Sequence, residues 1–180
     1  ISLMFIKIKS NNQLISQFLE ENISNLTSSI IIKEKERRLL VLDLQSFDGE
    51  IKISSPTQEA ITIAKPFHFS QMIDKFSIFQ QNYFVKIGPI IYFPFLGSFK
   101  FNDNKSLLSE TQNQILCSLV CFKEGIEKKI LYGTIWPRDK NISENKLDTH
   151  LTNLRNLIFD ICSYKLNFKT QKGFIILDIN

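Results

Sequence analysis

Between Ser143 and Ile158 the chain sets Asn145, Lys146, Thr149, His150, Thr152, Asn153 and Arg155 in the positions left free by a regular apolar series. These are amides, hydroxyls, an imidazole and two cations, and Glu144 and Asp148 are the only acids before Asp160. A surface rich in hydrogen-bonding groups and poor in net negative charge can lie against phosphates and base edges without strong repulsion. No other constellation competes with it. The chain has no Gly-rich phosphate loop and no His-x-x-x-His or Cys-x-x-Cys ligand set, and His68 and His150 have no nucleophile or acid partner by spacing. No catalytic residue, metal site or cofactor is therefore expected.

The elements that must hold this surface follow from periodicity. Leu147, Leu151, Leu154, Leu157, Ile158 and Ile161 recur at intervals of three and four, which predicts one amphipathic helix with that stripe against a core. Ser143 is its N-cap and Glu144 lies in its first turn. A short helix ending at Trp136 and Pro137 comes before it, then a polar loop; a pair of strands around Lys172 and Gly173 comes after. A capped helix followed by a hairpin is the order in which a winged helix presents one element to a DNA groove and another to the flanking backbone.

At this point a resemblance becomes specific. The run Asn145-Lys146-Leu147-Asp148-Thr149-His150-Leu151-Thr152-Asn153-Leu154-Arg155 resembles the recognition helix of the OmpR/PhoB family of response regulators. Trp136 matches the end of the helix before it, and Lys169-Thr170-Gln171-Lys172-Gly173 resembles the family's wing motif. Upstream, Leu108-Ser109-Glu110-Thr111-Gln112, followed by Ile115, Leu116 and Leu119, resembles the start of the first helix. The small sheet that opens such domains fits residues 90–95 and 99–101, around Gly97 and the Asn102-Asp103-Asn104 turn. Ile175 and Ile176 stand where the family carries a glycine and a tyrosine, and Thr152 and Asn153 occupy positions that are usually basic.

The resemblance implies roles residue by residue. Thr149 and Asn153, then Lys146, are the candidates for base edges, since Asn suits adenine and the Thr methyl suits thymine. His150, Arg155, Asn145 and Thr152 are candidates for phosphate. Lys172, with Thr170 beside it, is the wing's candidate contact with the minor groove or backbone. Trp136 reads equally as a phosphate ligand through its indole N–H and as an apolar anchor. The loop 137–142, with Arg138, Asp139 and Lys140, corresponds to a segment that in this family can meet RNA polymerase.

Composition sets the outer limits. An apolar content of 43% with 22% charged residues is ordinary for a globular chain of 180 residues, which has room for one large or two small domains. No apolar run is long enough to span a bilayer and no signal-like amino terminus is present, so a cytoplasmic protein without a membrane partner is expected; the heavy use of Ile, Asn and Lys suggests an AT-rich bacterial genome. Cys117, Cys121 and Cys162 are odd in number and lack metal-type pairing, and Cys117 and Cys121 sit one turn apart beside Ile115, Leu116 and Leu119, which favours reduced thiols in a core. Residues 1–83 hold nine Lys or Arg and nine Asp or Glu, whereas 84–180 hold thirteen and nine, so the net charge of +4 belongs to the second half. A basic half carrying helix and hairpin suits a polyanion.

The first half reads as strand, helix (13–21), strand (29–33) and a near-continuously apolar strand (39–44), which predicts a parallel α/β sheet. Residues 61–67, ending in Lys65-Pro66-Phe67, then a helix over 69–76, resemble the last strand and helix of a receiver domain. The resemblance places Asp43 and Lys65 at the phospho-acceptor and conserved-lysine positions. Ser10, Asn11 and Asn12 stand where receivers keep the acids that bind Mg²⁺, and neutral amides hold a hard dication poorly. Only 21 residues separate Asp43 from Lys65, too few for two crossovers and a strand. The expectation is therefore a truncated, degenerate receiver over 1–80 with a vestigial site at Asp43 and Lys65, a linker at 77–86, and a winged helix-turn-helix α+β domain over 84–180. Asp43 also reads as a strand-end carboxylate paired locally. A sheet stripped of a crossover helix needs cover, which predicts a homodimer through the first domain. The function expected is DNA-binding transcriptional regulation without aspartyl phosphorylation. The alternative is a protein-interaction scaffold whose winged helix has lost DNA affinity.

Overall fold

The computed structural model describes residues 83–122 and 124–179 throughout, and ahead of them five strands, one helix, Gln17 and Glu21. The strands are β1 (Met4–Lys9), β2 (Ser29–Ile31), β3 (Leu40–Phe47), β4 (Glu50–Ser55) and β5 (Gln58–Ala64), and they form one sheet in the order β2-β1-β3-β4-β5. β1 runs parallel to both β2 and β3, but β4 is antiparallel to β3 and to β5. The sheet is thus mixed, where an all-parallel one was expected. The reason is chain length: two residues separate β3 from β4 and two separate β4 from β5. Connections that short join only antiparallel neighbours, since a parallel crossover takes a dozen residues or more.

Reversing β4 twice over has a topological result. Two hairpins bring β5 back to the direction of β3 without either crossover helix. Asp43 lies in the middle of β3 rather than at its end, in register with Lys9 on one side and Lys52 on the other. Lys65 and residues 10–12 lie outside the described residues. Of the helix expected over 13–21, Gln17 and Glu21 are described as helical, with Gln17 Nε2 donating to Glu21 Oε1 at 3.2 Å, four residues apart.

The helix expected to stop at Phe76 continues as α1 (Phe69–Asn82), so 77–86 is not a linker. Tyr83 and Phe84 alone separate α1 from β6 (Val85–Ile87), and Tyr83 is buried with its ring edge-on to Phe95 at 5.8 Å. β6, β7 (Ile90–Phe93), β8 (Ser98–Phe101) and β9 (Asn104–Leu107) make an antiparallel meander. Alternation sends Val85, Ile87, Ile90, Tyr92 and Phe99 into the core.

α2 (Glu110–Cys121) starts at a complete capping box, with Ser109 Oγ accepting from the Gln112 N–H and Gln112 Oε1 accepting from the Ser109 N–H. It is locked to the meander by one polar chain: the buried Tyr92 hydroxyl donates to Asn113 Oδ1 at 2.5 Å, and Asn113 Nδ2 donates to the Pro94 carbonyl at 3.0 Å. Burial pushes the Tyr92 phenol well above its ordinary range. Cys117 and Cys121 pack in the core, and Cys162 is half-buried. Among the described residues no helix is long and apolar enough to cross a membrane.

After α2 come β10 (Ile126–Glu127), α3 (Lys128–Ile135), α4 (Glu144–Cys162), β11 (Asn167–Gln171) and β12 (Phe174–Asp178). β12 lies between β10 and β11, with all pairs antiparallel. Three helices and a terminal hairpin around a shared core constitute a winged-helix arrangement.

Candidate nucleic-acid interface

α4 is the element on which the site depends. Ser143 caps it, its Oγ accepting from the Lys146 N–H at 3.3 Å, and Ser163 ends it in the left-handed region at φ 56°. Leu147, Leu151, Leu154 and Ile158 face the core. The apolar stripe is shorter than the spacing implied, because Leu157 is only half-buried and Ile161 is 37% exposed. The last turns are covered only in part, by the contacts of the buried Ile158 and the half-buried Cys162 with the core.

The seven polar candidates on α4 divide into two groups. Asn145, Thr149, Thr152 and Asn153 are exposed. The Thr149 hydroxyl donates back to the Asn145 carbonyl at 2.8 Å, a bond within the helix that leaves its methyl uncommitted. Lys146, His150 and Arg155 are half-buried and engaged inside the protein. Arg155 Nε donates to the Leu166 carbonyl at 3.3 Å, and its guanidinium lies 5.2 Å from the Phe168 ring centre.

Lys146 departs furthest from its expected place. Its ammonium sits 2.8 Å from Asp139 Oδ2, 4.4 Å above the Trp136 ring and 5.8 Å from the Tyr132 ring. The Tyr132 hydroxyl donates to the same Asp139 oxygen at 2.6 Å. Trp136 stacks at a tilt on Tyr132 (4.7 Å) and on His150 (5.2 Å). One carboxylate, one ammonium and three rings thereby fasten the 137–142 loop and α3 to the start of α4. Trp136 serves as an anchor here, and Lys146 as the cation that holds the loop. Sequence spacing could not reveal this, since Lys146 lies at the border of the apolar stripe and its partners come from other elements.

The electrostatics of the cluster are coupled. The Lys146 ammonium first, then the Tyr132 hydroxyl, hold the Asp139 carboxyl below its ordinary value of 3.8. The hydrogen bond to Asp139 raises the Tyr132 phenol above its ordinary 10.0. Because the folded carboxyl is depressed, its stabilising contribution is complete above 3.8 and is lost as pH falls through the lowered value. Trp136 is the one tryptophan of the chain and reports on this directly. Its emission should therefore change in acid below pH 3.8 and lose that transition in Asp139→Asn. An unaltered acid transition in the variant would contradict the coupling.

The hairpin carries the remaining candidates. Lys172 (φ 50°) and Gly173 (φ 81°) form the two-residue turn between β11 and β12, both in the left-handed region that such turns require. Thr170 and Lys172 are exposed, and the Lys128 N–H donates to the Gly173 carbonyl at 2.9 Å, tying the turn to the start of α3. Lys128 Nζ also meets Asp148 Oδ1 at 3.2 Å, which pairs one of the two early acids of α4. Lys169 and Asp178 form an ion pair across the hairpin.

No family model matches the chain, and no curated protein does. Among solved structures, the DNA-binding domain of CadC from E. coli is similar over 53% of this chain and 91% of its own length, at 14% identity and a TM-score of 0.45. The C-terminal domain of the nisin resistance regulator NsrR, a lantibiotic response regulator, is similar over 51% of this chain and 93% of its own, at 28% identity and a TM-score of 0.39. A structure described as representing a family of redox sensors in the streptococci that evolved from two-component response regulators is similar over 99% of this chain and 80% of its own, at 15% identity and a TM-score of 0.43. At these scores the functional reading rests on this chain's own geometry.

Proposed function

We propose that this protein is a sequence-specific regulator that binds double-stranded DNA, with α4 in the major groove and the Lys172 turn against the flanking backbone or minor groove. One observation carries the reading: Asn145, Thr149, Thr152 and Asn153 stand exposed along a helix whose opposite stripe is buried, beside a hairpin whose exposed tip is a lysine. Helix and hairpin tip are mutually fixed through Lys128, which contacts Asp148 by its ammonium and the Gly173 carbonyl by its backbone. In this reading Asn145 and Thr152 meet phosphate with Thr170 and Lys172, and Lys146, His150 and Arg155 position the helix through Trp136 and the base of the hairpin. Regulation proceeds without phosphorylation of Asp43, because Ser10, Asn11 and Asn12 stand in the sequence where a receiver would keep the carboxylates that Mg²⁺ needs. RNA polymerase is the candidate partner of the exposed Arg138 and Lys140 in the loop.

Binding of duplex DNA should weaken with salt, and Asn153→Ala with Lys172→Ala should reduce it by about 30-fold or more, from one base contact and one phosphate contact of roughly 1 kcal/mol or more each. Unchanged, salt-insensitive behaviour would favour the scaffold reading instead. That second reading draws on the inward engagement of Lys146 and Arg155, which thins the charge offered to a polyanion. Residues 1–80 are proposed as the dimerising unit, so sedimentation of the full chain should give a dimer. A monomer at every concentration would remove that part.

A further inference from the structure

Resting on the DNA reading above, we propose that the outward face of α4 selects A·T over G·C base pairs in the major groove. The commonest contact to guanine is an Arg or Lys side chain aimed at O6 and N7, and cytosine is read by a carboxylate that accepts from its N4 amino group. On the face that carries Thr149 and Asn153 the groups either route would use are engaged within the protein, and the exposed Glu144 of the first turn points away from that face. Lys146 is held 2.8 Å from Asp139 and 4.4 Å above the Trp136 ring. Arg155 is turned to the Leu166 carbonyl and the Phe168 ring. Asp148, the acid nearest Thr149, is paired with Lys128 at 3.2 Å.

With Asn145 and Thr152 assigned to phosphate, a methyl and an amide are left for base edges. Thr149 gives its only hydroxyl proton to the Asn145 carbonyl, so it has none to donate to guanine O6 or N7. Its γ-methyl is the group left to meet the C5-methyl of thymine. Asn153, four residues on, is exposed, and its carboxamide has the donor and acceptor that match adenine N6 and N7. One helical turn advances ~5.4 Å against ~3.4 Å per base pair, so the thymine and the adenine lie within about two steps of each other.

Anisotropy titrations of the full chain with short alternating duplexes of dA-dT, dG-dC, dI-dC and dA-dU test the assignment. The dI-dC duplex decides between grooves, since it shows the guanine-like edge in the major groove and an A·T-like minor groove. Expected is a preference for dA-dT over dG-dC of about tenfold or more, from one bidentate contact. The dI-dC duplex should bind as weakly as dG-dC, and removal of the thymine methyl in dA-dU should cost about threefold or more. Thr149→Val should keep the methyl preference and Thr149→Ser should abolish it. Equal affinity for dG-dC, dI-dC matching dA-dT, or indifference to the methyl would each overturn the A·T assignment while leaving DNA binding intact. Failure of every duplex to bind would instead overturn the DNA reading, and the assignment with it.

Discussion

Leu154→Ala should lower the unfolding free energy by about 2–5 kcal/mol and weaken DNA binding in proportion to the unfolded fraction. Leu154 is fully buried, midway between Leu151 and Ile158 on the stripe that seats α4 in the core. Removing three carbons there loses transfer free energy and leaves a cavity in the shared core. Ile161→Ala provides the contrast on the same helix. Its side chain is 37% exposed, so its truncation should cost no more than about 0.5–1 kcal/mol. Denaturant titrations of both variants would measure the difference. Equal losses would mean that the C-terminal turns are as well covered as the middle of α4.

Gly125→Ala should be the most damaging single-methyl insertion in the hairpin sheet. Gly125 has φ 102°, beyond the left-handed region that other residues tolerate, and an added Cβ would lie 2.7 Å from Ile176 Cγ1 and 3.1 Å from the Ile175 carbonyl oxygen. The backbone strain costs about 1–3 kcal/mol, and the crowding a similar amount. The position matters because Ile126 pairs with Ile175 directly after it, so β10 cannot reach β12 unless the chain turns there. Gly173→Asn should be nearly neutral, since φ 81° suits a turn that Asn also accepts and no atom lies within 4 Å of the added Cβ. Thermal unfolding that ranked the two variants in the opposite order would remove this account of the hairpin.

Much of the second half was legible before any coordinates. The 147, 151, 154, 158 series locates the buried face of α4, Ser143 locates its start, and Ser109 with Gln112 three residues on is a capping box in sequence as in space. These signals are local, and the physics that fixes them acts within a few residues. The first half was legible only in part. Its strands were visible as apolar runs, and the 21 residues between Asp43 and Lys65 already excluded two crossovers, yet the sheet expected was parallel throughout, whereas short connections reverse β4. The helix ending at Asn82 was cut short at Phe76 because Gln80, Gln81 and Asn82 resemble a linker by composition, whereas no glycine or proline interrupts them.

The side-chain assignments show the same division. Polar residues along α4 were all candidates for DNA because a helical wheel distinguishes inside from outside and nothing finer. Lys146 lies near that boundary, and only the arrival of Asp139 from the loop, with Tyr132 from α3 and Trp136 just after it, decides that its ammonium turns to the protein. Sequence by itself determined where α2 and α4 begin, which face of α4 is buried, and that a lysine and a glycine turn the final hairpin, because capping, periodicity and turn chemistry are short-range. Tertiary structure decided the direction of β4, the reach of the apolar stripe and the division of α4 into committed cations and free neutral groups. Those outcomes depend on which distant elements come to lie within hydrogen-bonding or ring-stacking distance.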